Sequence, residues 1–98
     1  MVSSSIQQAL HEDFKRRADR CSSALMDVSR LVAAAMYGPL LIELLARACV
    51  LLDELDEVLI GLHPGRDHEA FARAAALHRT LEEIQSHLPP EWRRQRPR

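Results

Sequence analysis

The sequence is poor in the residues that build sheets. Val, Ile and Thr together number 10 of 98, and aromatic residues are 4%. Such side chains fill pleated, half-buried strands, so their scarcity argues against a sandwich or a barrel. Three glycines and five prolines exclude a collagen-like chain, and 47% hydrophobic content excludes wholesale disorder. No apolar run approaches the ~18 residues of a spanning helix, and no signal-peptide pattern opens the chain, so the expectation is a cytoplasmic protein without membrane contact. Cysteine is equally sparse. Cys21 and Cys49 do not make a disulfide framework, and they sit among apolar residues at helical spacing, as reduced thiols of a bacterial cytoplasm would. Lysine is almost missing: 12 of the 13 basic residues are Arg, the only Lys being Lys15. A GC-rich genome gives this usage, and so does selection for bidentate contacts. A net charge of −1 supplies no global field toward nucleic acid or anionic lipid.

What the chain does have is Ala and Leu, 28 residues in all. Both lose little rotamer freedom in a helix, and their spacing outlines three helical segments, about 5–36, 39–60 and 67–88, in a single domain of residues 1–90. In the first, Ser4-x-x-Gln7 and Ser5-x-x-Gln8 fit a capping box. Phe14, Ala18, Cys21, Leu25, Val28, Val32 and Ala35 then alternate steps of four and three, the seam of a long helix packed nearly parallel to a neighbour. Tyr37-Gly38-Pro39 breaks it, with Gly38 expected in the left-handed region and Pro39 opening the next helix. The second seam is Leu41, Leu45, Ala48, Leu52, Leu55, Leu59 and Leu62. Leu40, Ile42, Leu44, Cys49, Val50, Leu51 and Val58 lie off it, so this helix requires cover on more than one side. Through Leu52 its only charges are Glu43 and Arg47, an i,i+4 pair. The third seam is Ala70, Ala74, Leu77, Leu81, Ile84 and Leu88, with Asp67 as N-cap and Pro89-Pro90 as the stop. Residues 91–98 read as an Arg-rich flexible tail anchored by Trp92.

The expected fold is therefore all-α: a three-helix antiparallel bundle, or helical hairpin, with a long first helix and completed by oligomerisation. The first helix overhangs by about ten residues at ~1.5 Å per residue, leaving Ile6 and Leu10 in want of a partner. A hairpin about Gly38 sets Cys21 and Cys49 about five residues out of register, ~7–8 Å along the axis, which argues against a bridge between them.

Chemistry-bearing constellations are few. Arg73 and His78 form an R-x4-H that is similar to the active-site signature of HEPN ribonucleases, all-helical dimers with the motif facing across the interface. The resemblance covers six residues and implies that Arg73 holds phosphate and His78 transfers a proton. Ala74 stands where that family usually has a polar residue, and the chain is short for it. Glu54-x-x-Glu57 with Glu82-Glu83 resembles the paired-acid helices that hold Mg²⁺ in all-α nucleotide pyrophosphohydrolases, yet the second pair lacks its i+3 spacing. The histidines 11, 63, 68, 78 and 87 show no H-x3-H, and no Gly-rich phosphate loop occurs, so neither metal nor cofactor is expected. A helix-turn-helix is not supported, because the breaks contain Pro and the third helix is Ala-rich. Trp92, Arg93, Arg94 and Arg96 make the one sequence-local candidate for nucleic-acid contact.

These readings converge on a small non-enzymatic protein-binding module — a regulator, adaptor, inhibitor or chaperone-like protein. It would bind itself as a homodimer, or another protein, through Ile6, Leu10, Phe14, Leu41, Leu45, Leu52 and Leu55. A regulator binding nucleic acid through the Arg tail, and the HEPN-like ribonuclease, are the alternatives.

Overall fold

The computed structural model describes residues 2–93, and the side chains of residues 5–92. It is all-helical, with three main helices packed together and no strand among the described residues. The helices are α1 (Val2–Ala33), α2 (Pro39–Ile60), α3 (His68–Ser86) and a short α4 (Pro90–Arg93). The molecule is a rod, 51 × 21 × 20 Å, because the 32 residues of α1 alone run ~48 Å.

The three seams meet as one core. Phe14, Ala18, Cys21, Leu25 and Val28 of α1 are at most 3% exposed. Leu41, Leu45, Ala48, Leu52 and Leu55 of α2 and Ala70, Ala74, Leu77 and Ile84 of α3 are buried against them, with Leu62 and Leu88 at the helix exits. Each such leucine contributes on the order of 1.5–3 kcal/mol on leaving water. Alanines and a cysteine fill the narrow places, Ala18, Cys21 and Ala48 being fully buried, so the helix backbones approach closely.

Three boundaries differ from the sequence expectation. α1 starts at Val2, so Ser5 lies inside the helix and the expected capping boxes do not mark its start. It also ends earlier, and the left-handed residue is Ala35 (φ 54°), whereas Gly38 is extended. The Met36 N–H reaches back to the Leu31 carbonyl (2.9 Å) and the Ala35 N–H to the Val32 carbonyl (3.0 Å). This is a Schellman closure with Ala rather than Gly in the strained position. At the other end of the molecule, α3 begins one residue after Asp67 and stops before Pro89, with His87 as its C-cap. Finally, part of the expected tail is ordered. Pro90–Arg93 forms a helical turn, and Trp92 packs on the core with its ring 5.8 Å from that of Tyr37.

The first helix overhangs less than its length suggested. A Cβ placed on Gly61 would meet Leu10 at 3.4 Å, so Leu10 rests on the C-terminal end of α2.

Candidate interaction surface

Polar clasps join the helices. Asp67, 3% exposed, occupies the N-cap position of α3, but its carboxylate makes no cap bond. Instead its Oδ2 accepts the His63 backbone N–H (2.8 Å) and its Oδ1 lies 2.6 Å from Nε2 of His11 on α1. The His63 amide bond, and then His11, hold the Asp67 carboxyl below the ordinary carboxylate value against the opposing effect of burial. Across the middle of the molecule Arg17 binds Asp13 (3.0 Å) and reaches Glu54 of α2 (3.5 Å). The Arg17 hydrogen bond is also the main cause of the lowered Asp13 carboxyl.

The residues of the R-x4-H pair turn to different neighbours. Arg73 donates to Asp19 of α1 (2.7 Å), while His78 Nε2 lies 2.8 Å from Asp56 of α2. Residues i and i+5 of a helix project about 140° apart, so the motif acts here as two inter-helix ties. The acidic residues stay dispersed: among the described residues no group of three His, Cys, Asp or Glu is placed to hold a metal ion. Neither cysteine forms a disulfide, and burial foremost pushes the Cys21 thiol up to about 11, with Asp56 and Cys49 adding to the effect.

The apolar residues expected at a protein interface divide in two. Leu41, Leu45, Leu52 and Leu55 lie in the core, as does Phe14, so they hold the protomer together and are closed to a partner. Leu10 is half-buried, and only Ile6, 54% exposed, faces outward. The exposed apolar surface is made by residues off the seams. On α2 these are Leu40 (53%), Ile42 (47%), Val50 (55%) and Ile60 (84%); beside its N-terminus stand Met36 and Tyr37. The signal for them was the surplus of apolar residues off the 4–3 spacing of α2. Trp92 is half-buried against Tyr37, the Arg93 side chain is not among those described, and Arg94 and Arg96 lie outside the described residues.

Between α1 and α2 runs an open groove of about 410 Å³, with Ala24, Leu44 and Leu51 at its base and Arg20, Asp27 and Arg47 along its walls. A smaller recess of about 320 Å³ lies between α1 and α3, beside Val32, Ile84 and His87. Among the described residues no helix is long and apolar enough to cross a membrane. No family model, curated protein or solved structure matches the chain.

Proposed function

We propose that this chain works as a small protein-binding module, a regulator, adaptor, inhibitor or chaperone-like protein that acts by association rather than by chemistry. One observation carries the reading: α2, already packed on α1 and α3, still presents Leu40, Ile42, Val50 and Ile60 to solvent at 47–84% exposure. Single exposed leucines are ordinary, but four large aliphatic side chains on one 22-residue helix, Leu40 on one flank, Ile42 and Ile60 on the other and Val50 between them, leave apolar area for contact on more than one side. The Leu10–Gly61 and Arg17–Glu54 contacts fit α1 and α2 running antiparallel. In this reading the bundle is completed by a further chain, either a second copy or a different protein.

The test is site-specific photo-cross-linking in the native host. A photoreactive residue at Leu40, Val50 or Ile60 is expected to give adducts of defined mass, and one at Glu12 on the charged side of α1 to give none. Absence of adducts at all three apolar positions would reject the reading.

A further inference from the structure

The three helices leave the α1–α2 pair covered on one side only. α3 is tied there by Asp67 to His11, by Arg73 to Asp19 and by His78 to Asp56. Away from these ties opens the groove between α1 and α2, whose lining shares only Asp19 with them. Its base is apolar and shallow: Ala24 is 7% exposed, while Leu44 and Leu51 are half-buried and spaced one heptad apart. Small residues at the base allow another helix to approach, and the step through Leu44, Arg47 and Leu51 repeats the 3–4 spacing of the core seams.

The walls carry both signs of charge. On the α1 wall stand Asp19, already bound to Arg73, with Arg20 and Asp27, and on the α2 wall stands Arg47. Among the described residues neither Asp27 nor Arg47 has a strong partner. Among the described residues Arg47 makes no ion pair, not even with Glu43 one turn away, and Asp27 meets only Arg30, three residues on, at 3.5 Å. A groove of mixed sign is a poor match for nucleic acid, which selects basic surfaces, and for a partner of one strong charge. It is well matched to itself. When a two-fold axis runs along the helices, α2 of one copy lies over α1 of the other, and Arg47 then faces the partner's Asp27, twice by symmetry.

We infer that the α1–α2 groove is closed by the same groove of a second copy of this chain, giving a central four-helix layer with the two α3 helices outside. The inference rests on the protein-binding reading above and names the partner for the Leu40 flank of α2, which Leu44, Arg47 and Leu51 share at ~100° per residue. The dimer packs Leu44 and Leu51 of the two copies together over Ala24, and the Arg47–Asp27 pairs fix its register.

The experiment is sedimentation velocity on the full chain in reducing buffer over a wide concentration range, with three variants alongside. The native chain is expected to show the mass of two copies. Arg47→Glu and Asp27→Arg each place like charges in opposition, and each is expected to weaken the dimer at least about tenfold. The double variant Asp27→Arg/Arg47→Glu is expected to regain the native dissociation constant. Both positions are on the surface, and unchanged helical circular dichroism confirms that each variant folds. A native chain that stays monomeric at every concentration overturns the inference, as does a dimer indifferent to either reversal or not restored by the double change. If the chain is monomeric yet Leu40, Val50 or Ile60 still cross-links to another protein, the second copy is wrong and the protein-binding reading stands. If it is monomeric and no adduct forms, both fall.

Discussion

The two connections between the main helices are closed in opposite ways. At the end between α2 and α3, the chain turns over residues 61–67 around a buried carboxylate. Asp67 gathers an amide from its own loop and an imidazole from α1, so the turn, the start of α3 and the first third of α1 are held by one polar group. At the end between α1 and α2 there is no such group among the described residues. The turn is closed by backbone bonds around an alanine with positive φ, and its surroundings are apolar and exposed: Met36, Tyr37, Leu40 and Ile42. A polar clasp finishes its own surface, because every group in it is satisfied by the protomer. An apolar turn does not, and it leaves area for another chain. The polar end is therefore closed within the protomer, whereas the apolar end leaves exposed surface that the proposed partner would cover.

The comparison is broken most severely from between the two ends. Leu52→Asp, or Leu45→Asp, puts a carboxylate where exposure is 2% or 5%, and should cost more than about 4 kcal/mol, enough to unfold both ends together. Loss of helical circular dichroism at room temperature is the expected result.

Asp67→Ala should come next and act on one end. It orphans the His63 amide and frees His11, so the melting temperature should fall and amide exchange should quicken over residues 61–70 before it does elsewhere. The same carboxyl gives the molecule a pH dependence of defined sign. Its folded value is below the unfolded one, so the Asp67 contribution is fully present above pH ~4 and fades as the pH falls through the lowered value. Acid titration of the melting temperature should be flatter for Asp67→Asn than for the native chain.

At the opposite end, Ala35→Gly should stabilise by up to about 1 kcal/mol, since glycine adopts positive φ without the Cβ clash. Denaturant unfolding measures this directly. The smallest effect on folding should be that of Ile60→Lys, a residue 84% exposed, whose unfolding free energy should stay within about 0.5 kcal/mol of the native chain.

Much of the core was legible because periodicity is local. Steps of four and three selected Phe14, Ala18, Cys21, Leu25, Val28, Val32 and Ala35; the first five are buried, Val32 is half-buried, and Ala35 is exposed because the helix has already ended there. The same reading overlooked the surface, because it assigned the strongest apolar positions, Leu41, Leu45, Leu52 and Leu55, to a partner as well as to the core. One helix face cannot serve both, and in the folded chain the protomer takes it. The helix ends were harder to read. Gly38 and Pro39 look like the break, yet the chain bends three residues sooner, since a Schellman closure is made by backbone groups that any residue carries. The clasps were not legible at all. His11 and Asp67 are 56 residues apart, and nothing in either neighbourhood marks the other. The R-x4-H spacing was visible, but which way each side chain turns depends on the neighbouring helices, which spacing alone does not give.

Cys21 has a use that follows from its setting. Fully buried and held to about 11, its thiol is protonated at neutral pH and shielded from solutes. An alkylating reagent can reach it only when the helices part. Its labelling rate, set against that of half-buried Cys49 in the same chain, is thus an internal clock for opening. Read with rising protein concentration, that clock should slow if association holds the α1–α2 pair shut.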